Sequence, residues 1–452
     1  MDASILIWMV LAAMMAVMLY TFIGFIPGTD ETSVLLPISL ALVLSGVEPI
    51  IILTFFIASI VTLNLTNTMP TALVGLPGGV MSSAMIEHSI HIKATGKAAE
   101  TIKKMAAASF IGVLISVPVS LTLAHLLTPF AETIQPFAPW LFIIGAVFLS
   151  LISRQKLLSL FSILPLAMLF QSLRHLYWGL NVVPENTTIT VSFFLGITIG
   201  PLLFTLFRLL NKDTLKSALI SSDKTITLPK DIQEKRLNPF KILDKEERKH
   251  LSIGALIVNA LFVLSPVGLT ILIGETIGKR FKNRDDNARM SVITMSGVIQ
   301  ATYLSGIIIP LLALGIPLSP VALGPGAALF NAPPVLTLDN NLHHMLGFGE
   351  FTLAVVLGAL IALSISYVLI SRHAKTITRF ILDHIPHESV LALFIAFILL
   401  LAFMDAGLIN IFGVLLIGLF CGALNKMGVN YGVQFMSLYA APHLLNLIVG
   451  GF

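Results

Sequence analysis

Polar residues punctuate this chain rather than alternate with apolar ones. Apolar runs fill 5–26, 33–46, 47–65, 106–128, 139–153, 157–173 and 189–208, and again 251–265, 268–281, 290–309, 347–371, 388–404, 409–425 and 430–448. Several approach the roughly 20 residues a helix needs to cross the hydrocarbon core. Inside a bilayer, backbone groups must be satisfied within a helix or a closed barrel. Barrel strands alternate with a period of two, and runs such as 5–26 and 47–63 do not. The pattern predicts an all-α polytopic membrane protein with about seven spans on either side of a polar stretch at 211–250.

Composition agrees. Of 452 residues, 56% are hydrophobic and 11% charged, against about 25% charged in soluble domains. The first run is expected to stay as a span, because only Asp2 precedes it, with no basic segment and no small-residue cleavage pattern. Cys421 is the sole cysteine, which excludes a disulfide framework. The net charge of +4 is read as a positive-inside bias, with no nucleic-acid partner and membrane lipid as the surroundings.

Lys and Arg cluster at 93–104, 154–156, 208–249, 279–289, 372–379 and 426, with Arg174 apart; 45–49, 128–139, 331–346, 405–410 and both termini carry none. Basic loops in the cytoplasm put both termini outside and 211–250 inside. A prokaryotic inner membrane is the expected location.

Two segments are too short to cross twice as full helices and too apolar for loops: 68–84 and 309–330. Each reads Pro-x4-Gly-x-Pro, with Pro70, Gly75 and Pro77 matching Pro310, Gly315 and Pro317 at a common offset of 240 residues. Pro27 and Pro266 form an earlier pair. The loop before the first segment is neutral or acidic and the loop after it basic; in the second half the order is reversed. The expected organisation is therefore two inverted repeats, 1–210 and 251–452, each with a re-entrant Pro/Gly hairpin, joined by a cytoplasmic linker at 211–250. Inverted repeats with broken helices near the midplane are typical of secondary transporters.

Three stretches carry a family resemblance: GFIPGTDETSVLLP at 24–37, GLPGGVMSSAMIEHSIHIKATGKAAETI at 75–102, and 288–326, which contains SGIIIPLLALGIPLSPVALGPG. They resemble the large membrane subunit of tripartite tricarboxylate transporters, the TctA-type permeases. Gly75 stands where that family tends to have Asn, Thr29-Asp30-Glu31 replaces a Leu-Gly-Pro-like run, and Leu318 replaces a hairpin glycine. The resemblance implies import of a small organic anion of the di- or tricarboxylate class, a small membrane subunit and a periplasmic binding protein as partners, and no cofactor beyond a coupling ion. A homodimer is compatible with it.

Candidate chemistry concentrates at the breaks. Proline removes a backbone donor and glycine permits conformations closed to other residues, so a helix restarting after Gly75, Pro77, Gly78 and Gly79 can turn free N–H groups toward a carboxylate. Ser82 and Ser83 can add hydroxyls, and Gly315, Pro317 and Ser319 form the matching half-site. Asn64, Asn67 and Thr68, with Ser305 in the second half, offer oxygens for Na⁺; the plainer reading is interhelical hydrogen bonding. Asp30, Glu31 and Glu275 are acidic residues near the membrane interior, where a carboxylate that binds H⁺ would couple transport. For Asp30 and Glu31 the plainer reading is an interfacial helix cap.

His88/His91, His343/His344 and His384/His387 are read as loop histidines rather than metal ligands. No phosphate-binding Gly-Lys-Ser/Thr motif occurs. The expected function is a secondary active transporter, not an enzyme, coupled to H⁺ or Na⁺. A cation/proton antiporter using the membrane carboxylates and an intramembrane metal-dependent enzyme are the alternatives.

Overall fold

The computed structural model describes residues 3–26, 31–74, 78–79, 81–153, 155–183, 190–210, 238–384 and 387–449. Helices α1 (Ala3–Gly24), α2 (Glu31–Leu44) and α3 (Pro49–Thr66) open the chain. After a turn at Asn67 come the short α4 (Thr68–Val74), a 3-10 turn (Met81–Met85) and α5 (Ile86–Ala94). Helices α6 (Ala98–Leu127), α7 (Ala138–Ile152), α8 (Lys156–Gly179) and α9 (Thr190–Leu210) complete the first half. The second half has α10 (Lys245–Ala260), α11 (Pro266–Gly278) and α12 (Arg284–Ile309). A π turn (Pro310–Leu314) and the short helical turns Pro320–Leu323 and Ala327–Phe330 lead to α13 (Phe348–His384), α14 (His387–Lys426) and α15 (Tyr431–Val449).

Each apolar run read from the sequence falls on a helix. Seven helical stretches among the described residues are long and apolar enough to cross a membrane, and four shorter apolar helices accompany them. The chain is a multi-pass membrane protein. Residues 211–237 of the expected linker lie outside the described residues, and its end is helical, because α10 begins at Lys245.

Two basic segments expected as loops are helical. Lys103 and Lys104 lie in α6, and the 372–379 cluster continues α13 to His384. No Gly or Pro stands between Gly358 and Pro386, so nothing there breaks the helix, and Lys and Arg are good helix formers. The expected spans 388–404 and 409–425 form one helical stretch, interrupted where Ala406 and Gly407 leave helical geometry.

Local sequence sets the starts. Asn283 Oδ1 accepts from Asp285 N at 3.1 Å at the head of α12, where Asp285 and Asp286 in the first turn suit the helix dipole. Ser265 does the same for α11, accepting from Gly268 N at 3.3 Å beside Pro266.

The halves exchange helices. The third helix of each half packs on the first long helix after the Pro/Gly segment of the other: α3 on α13, and α12 on α6. The last helix of each half packs on the fifth and sixth crossings of the other: α9 on α14, and α15 on α7 and α8. Likewise α11 meets the turn Met81–Met85 while α2 meets Ala327–Phe330. The central helices are the most buried, the apolar stretches of α12 entirely and of α3 nearly so. Backbones close tightly there, since a Cβ on Gly112 would stand 2.5 Å from the Gly297 carbonyl oxygen and one on Gly358 2.6 Å from that of Thr54. Small residues permit such approach in membrane proteins, where packing rather than hydrophobicity drives association.

Most packing falls into two bundles. One contains α1, α3, α6 and α10–α13 with both Pro/Gly segments; the other contains α7–α9, α14 and α15. Helix α2 connects them: Tyr20 Oη of α1 donates to the Val34 carbonyl at 3.0 Å, and Ser33 Oγ donates to the Thr198 carbonyl of α9 at 3.2 Å. The first bundle is pinned at one end by a buried ion pair between Lys104 Nζ and Glu247 Oε1 at 2.8 Å, with Arg289 Nε 3.4 Å from the same oxygen.

Candidate functional site

The α3 helix ends at Asn67, and the chain then doubles back on that point. After α4, Gly78 and Gly79 lie against Asn67: a Cβ on Gly78 would stand 1.9 Å from the Asn67 carbonyl oxygen, and one on Gly79 2.3 Å from Glu31 Oε1. At Gly78 the obstacle is backbone and only a residue without a side chain fits, whereas at Gly79 it is the ends of two side chains. In the second half Ser319 Oγ reaches back to the Gly306 carbonyl in the same manner.

Glu31, at the start of α2, sits in that fold-back. Its side chain is buried at 2% exposure. Oε1 accepts from Asn67 Nδ2 and from Met81 N–H, each at 3.3 Å. One carboxylate oxygen thus joins the head of α2, the end of α3 and the returning segment.

Glu31 also lines a cavity of about 390 Å³ that opens between the two bundles. One wall is Ser265, Pro266 and Val267 of α11, Tyr303 of α12, Met81, and the second Pro/Gly segment at Pro320, Val321 and Pro325. The other is Leu149 of α7, Asn425 and Lys426 of α14, Asn430 just before α15, and Tyr431 and Gly432 of α15. Among these lining residues Glu31 is the one carboxylate and Lys426 the one cation. The hydrophobic pattern had marked Lys426 only as an orienting charge, and gave no sign of Tyr303, Asn425 or Asn430. The polar pair at 425–426 was visible; that α14 and α15 would turn it toward the Pro/Gly segments was not.

The other candidates scatter. Gly75, Pro77 and Asp30 lie outside the described residues, as does the side chain of Ser83. Ser82 Oγ donates to the Gly79 carbonyl and accepts from Gly79 N–H, both at 3.0 Å, so its hydroxyl closes the turn. Ser319 caps the turn Pro320–Leu323, accepting from Ala322 N–H at 3.0 Å. Pro317 is buried near it. Gly315 is left-handed at φ 67° and lies under the loop after the second segment. There Asn341 Nδ2 donates to its carbonyl at 2.8 Å, and His343 Nδ1 is 2.9 Å from the Leu312 carbonyl. Burial pushes the His343 imidazole below its usual pKa.

Of the expected Na⁺ ligands, Thr68 donates to the Leu65 carbonyl and Ser305 to the Ala301 carbonyl, each within its own helix. Asn64 differs: it is 2% exposed, and neither polar atom of its amide has a hydrogen-bond partner among the described residues. Asn67 Oδ1 is likewise without one.

Glu275 lies elsewhere, half-buried, with Oε1 2.6 Å from His88 Nε2. His91 Nε2 is 2.9 Å from Asp285 Oδ1, and Lys97 Nζ donates to Asp285 Oδ2 at 2.9 Å. His88 and His91, expected in a loop, are on α5, where their spacing of three places both on the face toward α11 and α12. Among the described residues no group of three or more His, Cys, Asp or Glu is placed to hold a metal.

The family model of the tripartite tricarboxylate transporter TctA family matches residues 10–433, nearly the whole chain. The chain belongs to the TctA family. No curated protein and no solved structure matches it. Membership makes the chain the membrane component of a tripartite-type transporter. The match spans both bundles and the cavity between them, so the TctA region and the site described above coincide.

Proposed function

We propose that this TctA-family chain is a secondary active transporter that imports a small organic carboxylate through the cavity at Glu31 and Lys426, driven by H⁺ or Na⁺. The observation that carries this reading is the position of the cavity. It opens where the two bundles meet, against the returning segments of both halves, so a relative movement of the bundles would change which side it faces.

The exchanged packing of equivalent helices supports two repeats, and the reversed charge order supports their inversion. In that arrangement the Pro/Gly segments enter from opposite faces as re-entrant gates. Lys426 belongs to the cytoplasmic side by the charge pattern, so the cavity described here faces inward. Asn64 and Asn67 supply amide oxygens suited to Na⁺, and Glu31 supplies a carboxylate suited to H⁺. A small membrane subunit and a periplasmic binding protein would deliver substrate from outside.

The test is thermal unfolding of the purified chain with a panel of mono-, di- and tricarboxylates, with and without Na⁺, at pH 6 and pH 8. Stabilisation by a carboxylate, strengthened by Na⁺ or by acid, is the expected result. Stabilisation by cations with no response to any carboxylate would favour a cation/proton antiporter working through Glu31.

A further inference from the structure

A second cavity, of about 260 Å³, opens where α5 meets the head of α12. Glu87, His88 and His91 of α5 line it together with Lys282, Arg284 and Asn287. It shares no lining residue with the cavity at Glu31, so its chemistry is independent of the solute carried there.

The carboxylates behind the two histidines are already held. His88 Nε2 is 2.6 Å from Glu275 Oε1, and Asp285 is shared by His91 Nε2 and Lys97 Nζ, each at 2.9 Å. Lys282 and Arg284 differ. Both are exposed, and neither has an ion-pair partner among the described residues. Two free cations and one carboxylate, Glu87, therefore line the same space. A single negative charge balances that lining, whereas a doubly charged anion would be opposed by Glu87.

The surroundings suit one carrier of such a charge. The basic segments 93–104 and 279–289 flank the pocket and assign it to the cytoplasmic membrane surface. Beside it the protein turns apolar residues outward. Ile90, between the two histidines on α5, is 53% exposed, and Leu272, on the same face of α11 as Glu275, is 59% exposed. Basic pockets between helices on the cytoplasmic side are where acidic lipid headgroups bind.

We propose that this pocket binds the phosphodiester of an anionic phospholipid from the cytoplasmic leaflet. Lys282 and Arg284 hold the phosphate, and the acyl chains lie along Ile90 and Leu272. The bound lipid ties α5, the returning limb of the first Pro/Gly segment, to the head of α12.

The test follows thermal unfolding of the full chain in a neutral detergent during titration with four additives. These are phosphatidylglycerol, phosphatidylcholine, phosphatidylethanolamine and inorganic phosphate. Phosphatidylglycerol should reach half-maximal stabilisation at least about tenfold below the zwitterionic lipids, and inorganic phosphate should not match it. In Lys282→Gln/Arg284→Gln that preference should fall by about tenfold or more. An exposed basic pair elsewhere, changed as Lys245→Gln/Lys249→Gln, should leave it intact.

An equal response to the zwitterionic lipids overturns the proposal. So does a preference that survives in Lys282→Gln/Arg284→Gln, or one that Lys245→Gln/Lys249→Gln loses equally. Inorganic phosphate acting as strongly as phosphatidylglycerol would make this a free-phosphate site and overturn the lipid assignment. Should the Lys282/Arg284 variant fail to fold, Glu87→Gln gives a second arm at an exposed position. Removing the opposing carboxylate should tighten the phosphatidylglycerol response by about threefold or more, and an unchanged or weaker response would count against the site.

Discussion

Asn67 donates its side-chain amide to the buried carboxylate of Glu31 at 3.3 Å, across 36 residues of sequence. The bond fixes the start of α2 to the point where α3 stops, and the returning segment closes over both. Replacing Asn67 by Ala removes a hydrogen bond to a charged group, a loss of about 1.5–3 kcal/mol. Asn67→Asp should be worse, because it sets a second carboxylate against the first. Thermal unfolding of the two variants in detergent checks the order.

The paired glycines give a sharper test of the same fold-back. Gly78→Ala drives a methyl group into the Asn67 backbone, whereas Gly79→Ala meets side-chain atoms of Glu31 and Asn67 that can shift. Overpacking of this kind costs about 1–3 kcal/mol, with Gly78→Ala expected near the upper end. Adding Glu31→Ala should relieve Gly79→Ala and leave Gly78→Ala unchanged. A double-mutant cycle on melting temperatures measures that difference.

Lys104 and Glu247 are 8% and 2% exposed at the side chain and 2.8 Å apart. Removing one partner leaves the other with only longer ion pairs, Arg289 at 3.4 Å for Glu247 and Glu100 and Asp244 at 3.6 and 3.7 Å for Lys104. Lys104→Met or Glu247→Gln should therefore each cost about 3 kcal/mol, the low end for breaking a buried pair. The double replacement Lys104→Met with Glu247→Leu should recover much of that loss. Unfolding midpoints of the three variants decide it.

His343 packs over Gly315, and burial lowers its pKa from the ordinary histidine value. The fold thus favours the neutral ring. Its contribution is fully present above the ordinary pKa of about 6.5 and is lost as pH falls through the lower folded value. Acidification below about pH 6 should loosen residues 331–346, seen as faster amide hydrogen exchange there. His343→Gln should flatten that dependence.

Hydrophobic periodicity was enough to locate the helices, because in a bilayer the apolar length of a segment nearly dictates its structure. It misjudged where helices end in water. The basic clusters of α6 and α13 looked like loops but lack any helix breaker. The site was less legible. Proline and glycine spacing located the fold-backs, yet not which donors would remain available once Ser82 and Ser319 were in place. Glu31 and Glu275 looked alike in sequence as acidic residues after related Pro/Gly breaks. Packing separated them, carrying Glu31 into the cavity and leaving Glu275 beside His88. Lys426 entered the site through the turn between α14 and α15, a tertiary event that no local pattern encodes.

Transport itself is tested most directly in proteoliposomes containing the full chain, preloaded with an unlabelled carboxylate that stabilises the protein and then given the labelled one outside. Labelled solute should accumulate by exchange, and an inward Na⁺ or H⁺ gradient should drive uptake above equilibrium. Binding without exchange, or cation flux that no carboxylate alters, would contradict a carboxylate carrier working through the cavity between the two bundles.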